Sequence, residues 1–227
     1  IPGSPIAYWV SDRVKEIFAN NKNLGEVAEP RQGMATADND RFLRFWNEVS
    51  INRIGFNYPN RNEAHESGLK WFPYNKGGEF KKWYGNNELL VNWENDGKEL
   101  NDFKPKSVIR NPNYYFLEGI TWSLTSSSNA FGARYKNLGF LFDVNGMSIF
   151  PKKKDLIYIN SFMCSKLTYR FLQLINPTMA FQIGDIARLP IIFPKQESTK
   201  QQIDILTQEC IDISKEEWDS RETSWDF

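Results

Sequence analysis

DLIYINSFMCSKLTYRFLQLIN, residues 155–176, carries apolar side chains at Leu156, Ile159, Phe162, Met163, Leu167, Phe171 and Leu174, and Asn176-Pro177 stops it. That spacing predicts one long helix ended by the proline. The stretch also divides the chain by texture. After it, residues 181–193 predict a closing strand ending at Pro194. Residues 199–217 then predict a second long helix, with Ile203, Leu206, Cys210 and Ile213 at i, i+3, i+7 and i+10. Before it, aromatic and branched residues alternate with turn formers. The fold class this implies is α+β: a mostly antiparallel, twisted sheet with presenting loops, buttressed by long helices near the C-terminus.

Working back from residue 155, Val144-Asn145-Gly146-Met147 within 140–150 predicts a hairpin turn. Residues 119–126 predict another strand. Lys70-Trp71-Phe72-Pro73-Tyr74-Asn75-Lys76-Gly77-Gly78, Trp83-Tyr84-Gly85-Asn86 and Val91-Asn92-Trp93-Glu94-Asn95-Asp96-Gly97 place rings between Gly-Gly and Asp-Gly turns. Short strands are expected at 24–29 and 42–49, flanking a small-residue loop, with an exposed polar connection at 52–68. An amphipathic helix is expected at 5–22, where Tyr8, Trp9, Val10, Val14, Ile17 and Phe18 recur at helical spacing. The expected division is a recognition domain over 1–194 and a spacer-like helix with an acidic, Trp-containing tail over 195–227.

The chain has 227 residues with 28 basic and 28 acidic side chains, so its formal charge is zero. The balance is uneven: residues 195–227 hold four basic and nine acidic residues, leaving the rest net basic. Neutrality does not suit a free-standing nonspecific DNA binder, but it suits a reader whose grip on the backbone is shared with another domain. Cys164 and Cys210 have no CxxC neighbour, which argues against a disulfide scaffold or zinc ribbon and for the reducing cytoplasm. No apolar run reaches membrane-span length. Ile1-Pro2-Gly3-Ser4-Pro5-Ile6 lacks an initiator Met and a charged n-region, so it reads as the interior of something longer.

Missing chemistry decides much of the functional reading. The single histidine, His65, lies in the polar stretch Glu63-Ala64-His65-Glu66 and reads as a solvated residue rather than a base or metal ligand. No Gly-rich phosphate or dinucleotide loop occurs. Asn111-Pro112-Asn113-Tyr114 resembles the Asn-Pro-Pro-Tyr motif with which adenine methyltransferases hold a flipped base. Its third position is Asn113, however, and no cofactor loop precedes it, so it reads as a turn followed by a strand. No catalytic or metal residue is therefore expected. The positive signals are three loops suited to phosphate and base-edge contacts: Arg31, Thr36, Asn39, Arg41 and Arg44; Lys76, Lys81, Lys82 and Trp83; and Ser126, Ser127 and Arg134.

Two resemblances go further. Asn176-Pro177-Thr178-Met179-Ala180-Phe181-Gln182-Ile183-Gly184-Asp185-Ile186 to Leu189-Pro190-Ile191, followed by a helix with Gln201-Gln202-Ile203, resembles specificity domains of type I restriction systems. Gly33-Met34-Ala35-Thr36-Ala37-Asp38-Asn39-Asp40-Arg41-Phe42-Leu43-Arg44-Phe45-Trp46, the 70–78 stretch, Gly119-Ile120-Thr121-Trp122-Ser123 and Trp218-Asp219-Ser220-Arg221-Glu222-Thr223-Ser224-Trp225-Asp226-Phe227 are more specific. They resemble the PglX-type adenine-specific methyltransferases of BREX phage-defence systems. The resemblance implies double-stranded DNA and the parent methyltransferase domain as partners, with other defence-system proteins also in reach. It places S-adenosylmethionine and catalysis in a domain upstream, with no cofactor in this piece. Two rival classes stand beside this reading. A protein-interaction module would have an evenly mixed surface, and a small enzyme would have a deep pocket lined by paired carboxylates.

Overall fold

The computed structural model describes residues 10–125 and 130–227. Its elements run α1 (Asp12–Asn20), α2 (Leu24–Val27), β1 (Ala28–Arg31), α3 (Asn39–Phe42), β2 (Leu43–Phe45), α4 (Arg61–Glu66), β3 (Trp71–Asn75), β4 (Leu89–Asn92) and α5 (Glu94–Asp102). Then follow β5 (Gly119–Trp122), β6 (Ala133–Lys136), β7 (Leu141–Phe142), β8 (Ser148–Pro151), α6 (Leu156–Cys164), α7 (Lys166–Ile175), α8 (Ile183–Ala187) and α9 (Glu197–Asp219). The fold is α+β.

Two four-stranded sheets form, ordered β1-β8-β5-β6 and β2-β4-β3-β7. Among the described residues, the pairings between these strands are antiparallel except β3 with β7. The first sheet packs Ile120, Trp122 and Ile149 against Ile159, Met163, Phe171 and Leu172 of α6 and α7. The second gathers Phe72, Tyr74, Val91, Trp93, Phe116 and Phe142 into a core of large rings. Strand β3 is buried at all five positions, which explains its near-continuous apolar run. It carries Pro73, which has no amide hydrogen to share. The strand solves this by changing partner there, pairing β4 as far as Pro73 and β7 from Tyr74 onward.

Several expected elements take other forms. Asn145-Gly146 makes no hairpin: β7 pairs in one sheet and β8 in the other, so residues 143–147 carry the chain between sheets. Neither residue has a positive φ, which a type I′ turn would require. Instead the Asp143 carboxylate accepts from the Asn145 amide at 2.8 Å, and a Cβ on Gly146 would lie 2.3 Å from the Asn75 carbonyl oxygen. Glycine is there for close approach.

The helix expected over 155–176 is two helices, because the Ser165 hydroxyl accepts from Thr168 N and starts α7 afresh. Within residues 181–193 the structure has α8 (Ile183–Ala187) and a single antiparallel bridge at Pro190 rather than a strand, since Asp185 accepts from the Gln182 amide at 3.1 Å and from Asn176 Nδ2 at 2.8 Å, fixing a helical start. The segments at 24–29 and 42–49 are half helix, half strand, and 52–68 contains α4. Asn111-Pro112-Asn113-Tyr114 is a short 3-10 turn entered through Asn111 at φ 49, and the next strand begins at Gly119. The described part of the 5–22 helix starts at Asp12, with Ser11 as its N-cap residue, while Tyr8 and Trp9 lie outside the described residues.

Helix α9 packs along α6. Its expected inward stripe is turned partly outward: Leu206 and Ile213 are 60% and 66% exposed, and the buried face is Thr207, Ile211 and Trp218. The acidic tail does not reach away from the chain. Trp218 packs with Tyr84 and Ile211, Trp225 sits against Phe56 and Phe140, and Trp46 Nε1 donates to the Thr223 carbonyl at 3.0 Å.

Candidate nucleic-acid interface

The segment 76–83 is the spine of the site. It leaves β3 through Gly77 and Gly78, at φ 93 and 120, where a side chain on Gly77 would lie 2.7 Å from the Asn145 carbonyl oxygen. The Ser123 hydroxyl donates to the Gly78 carbonyl at 3.0 Å, and Trp83 exchanges backbone bonds with Ala133 and Tyr135. The loop is thereby stitched to the edge strand β6. Each end of it lines a groove, Lys76 one and Lys82 another.

The first groove, about 570 Å³, is lined by Asn39, Asp40, Arg44, Glu48, Lys76 and the apolar Leu43, Phe45 and Leu89. Its polar side chains are held from the interior. Buried Tyr74 donates to Asp143 Oδ2 at 2.7 Å, and burial pushes the phenol's pKa up, keeping it a donor. Lys76 Nζ lies 3.4 Å from the same carboxylate oxygen and donates to Asn39 Oδ1 at 2.9 Å. The hydroxyl of Thr36 donates to that Asn39 oxygen as well, at 2.9 Å. Arg44 Nη1 donates to the carbonyls of Asp40 and Leu43, and its guanidinium lies 5.4 Å from the centre of the Trp71 ring.

The second groove, about 580 Å³, is lined by Lys82, Ala130, Phe131, Lys166, Tyr169, Arg170 and Gln173. Lys82 Nζ donates to the Cys164 carbonyl at 2.7 Å, at the C-terminal end of α6, where the helix dipole favours a cation. Lys166, Arg170 and Gln173 are exposed at i, i+4 and i+7 on α7. No carboxylate is among the described residues lining this groove, so three cations face it unopposed. Lys166, Tyr169, Arg170 and Gln173 were not among the expected site residues. The polar half of the amphipathic pattern in 155–176 was the signal for them.

The other expected residues are placed as follows. Arg31 is held by Glu29 and by the Tyr114 hydroxyl at 2.9 Å, and Arg41 pairs with Glu99 at 2.8 Å while lying over Phe103. Both are committed to the protein. Lys81 lies 3.5 Å from Glu217 on the α9 side. Thr36 and Arg134 are interior, so neither offers the exposed contact expected of it. At 2% exposure, Arg134 reaches the Ser123 hydroxyl among the described residues, and burial lowers its pKa to about 10. Trp83 packs into the core rather than outward as a stacking platform. Ser126 and Ser127 lie outside the described residues.

Among the described residues, no cluster of three or more His, Cys, Asp or Glu side chains is placed to hold a metal. His65 is exposed on α4. Burial pushes the Cys164 thiol up to about 11, which is the opposite of nucleophile activation. Among the described residues no helix is long and apolar enough to cross a membrane.

No family model matches the chain. Over its whole length it matches two proteins described as adenine-specific methyltransferases. It is 42% identical over 237 aligned residues to the adenine-specific methyltransferase PglX of Lacticaseibacillus casei (strain Zhang), and 40% identical over 231 to the adenine-specific methyltransferase BrxX of Escherichia coli O9:H4 (strain HS). The chain spans 19% and 18% of the lengths of these relatives. Among solved structures it is similar to a chain of a type I restriction-modification system, with a TM-score of 0.45, 14% identity and coverage of 85% of this chain and 38% of that one. It is similar also to the HsdS subunit from Thermoanaerobacter tengcongensis, with a TM-score of 0.41, 14% identity and coverage of 89% and 40%.

Proposed function

We propose that this chain recognises double-stranded DNA for an adenine-specific methyltransferase of a BREX-type or other restriction-like defence system, acting in the cytoplasm. The catalytic chemistry, with S-adenosylmethionine, belongs to another part of the longer protein. The observation that carries the reading is the carboxylate-free groove of Lys82, Lys166 and Arg170, beside a loop braced on two sheets. Three cations along one groove suit the phosphate backbone, and the neighbouring charge-balanced groove suits base edges. The methyltransferase part is then a partner that flips the adenine presented to it.

The test is fluorescence anisotropy with a mixed-sequence duplex at ~50 and ~200 mM salt. Each phosphate contact contributes a slope of about 0.9 in log affinity against log salt, so three give about 2.7. The wild type should lose about 40-fold more affinity over this fourfold salt range than a Lys82→Ala, Lys166→Ala, Arg170→Ala variant. Equal salt slopes for the two proteins would remove DNA from this groove. A second reading, a docking module for other defence proteins, is favoured by one observation, the exposed Ile205, Leu206 and Ile213 on α9. Failure of both this chain and the longer protein to bind duplex at low salt would decide for it.

A further inference from the structure

Resting on the reading that this chain binds duplex DNA, we infer that the groove of Asn39, Arg44 and Lys76 reads the major-groove edge of a guanine. Lysine has no acceptor, so the 2.9 Å bond from Lys76 Nζ fixes which end of the Asn39 amide faces it: the oxygen. Thr36 donates to that oxygen too. With Oδ1 occupied twice, Asn39 has its Nδ2 amine left to offer. An asparagine that reads adenine needs its oxygen for the adenine amine and its nitrogen for N7. This asparagine has given its oxygen away.

The two cationic side chains lining the groove are donors as well. Lys76 retains one N–H beyond the two used on Asn39 and Asp143. Arg44 spends Nη1 on two backbone carbonyls and is held over Trp71, leaving Nε and Nη2. Guanine presents two adjacent acceptors in the major groove, O6 and N7, whereas thymine presents one beside a methyl group. The remaining question is why the ligand is a base rather than a phosphate. Asp40 and Glu48 line the same groove and would repel a phosphate, yet a carboxylate is the acceptor suited to the amine of the paired cytosine. The network behind Asn39, from Tyr74 through Asp143 to Lys76, fixes the amide before DNA arrives.

The test selects ligands from a duplex pool with randomised positions, using the wild type and Asn39→Asp. The variant keeps an oxygen toward Lys76 and Thr36 but replaces the outward amine by an acceptor. The expected result is that one guanine position in the selected motif loses about tenfold or more of its preference and shifts toward cytosine or adenine, whose amines donate. 7-Deazaguanine at that position should weaken the wild type and leave the variant unchanged. An unchanged motif, a change at a position that is not guanine, or even weakening across all sequences would overturn the inference; the last would assign Asn39 to phosphate. Asn39→Ala, checked for a native melting curve, separates loss of contact from misfolding: it should lose the same guanine preference and gain none. If the wild type bound no duplex at all, the DNA reading itself would fail, and the inference with it. If it bound duplex but selected no motif, the inference alone would fail.

Discussion

Replacing Lys136 by methionine should make the protein's stability less dependent on pH. Lys136 is 1% exposed at the inner end of β6, with its ammonium donating to the Leu117 carbonyl at 2.5 Å and lying near the Phe142 and Phe150 rings. The charged group nearest in influence is Glu118, whose carboxylate is engaged by the Tyr135 hydroxyl at 2.7 Å. Burial outweighs that attraction and lowers the lysine pKa to about 7. In the unfolded chain it titrates near 10.4, so between these values the unfolded state holds a proton the folded state lacks. Stability therefore rises with pH across that window. Integrating the linkage between pH 7 and 9 gives about 2 kcal/mol from this one side chain. Buried tyrosines with raised pKa values act in the opposite direction above pH 10, which is why the comparison stops at 9. The assay is urea unfolding of wild type and Lys136→Met at both pH values. The wild type should gain about 2 kcal/mol more than the variant on going from pH 7 to 9. The lost bond to Leu117 shifts the variant equally at both pH values and cancels. An identical pH increment in the two proteins would refute the buried, proton-poor lysine.

Gly33→Ala should destabilise by about 3 kcal/mol, measured by thermal melting, because its Cβ would sit 1.9 Å from the Phe142 carbonyl oxygen. Gly184→Ala is the matched control: nothing lies within 4 Å of the added carbon, and alanine in α8 should stabilise by about 0.5 kcal/mol. Trp225→Ala should cost about 2 kcal/mol by removing a half-buried ring from Phe56 and Phe140, lowering Tm by roughly 4–8 °C. A tail that merely lies on the surface would leave Tm unchanged.

The α+β class, the long C-terminal helix and the ring-rich middle were legible because periodicity and composition report burial directly. What the sequence concealed were choices made by tertiary partners. Asn145-Gly146 has the composition of a tight turn, yet the close approach of the Asn75 carbonyl is what demands the glycine. Gln182 to Asp185 looks extended by its neighbours, but one carboxylate folding back converts it to a helix. On α9, Leu206 and Ile213 match the helical period as well as Ile211 does, and only the position of α6 decides which face is covered. The candidate site divided in the same way. The loops at 31–44 and 76–83 were visible as basic, small-residue segments. That Arg31 and Arg41 would be neutralised by Glu29 and Glu99, and that α7 would supply Lys166 and Arg170, required the fold to bring distant segments together.

The return of the last residues onto the second sheet also sets when that sheet can be finished. Trp46 bonds to Thr223, 177 positions later, and Phe56 and Phe140 meet Trp225. Strand β1 likewise waits for β8. A nascent chain can pair β2, β3 and β4 as they appear, but β1 waits for β8, and rings such as Phe56 and Phe140 stay uncovered until residues 218–227 have been made. Long-range pairings of this kind delay the covering of those surfaces, which then have to be kept from one another in the interval.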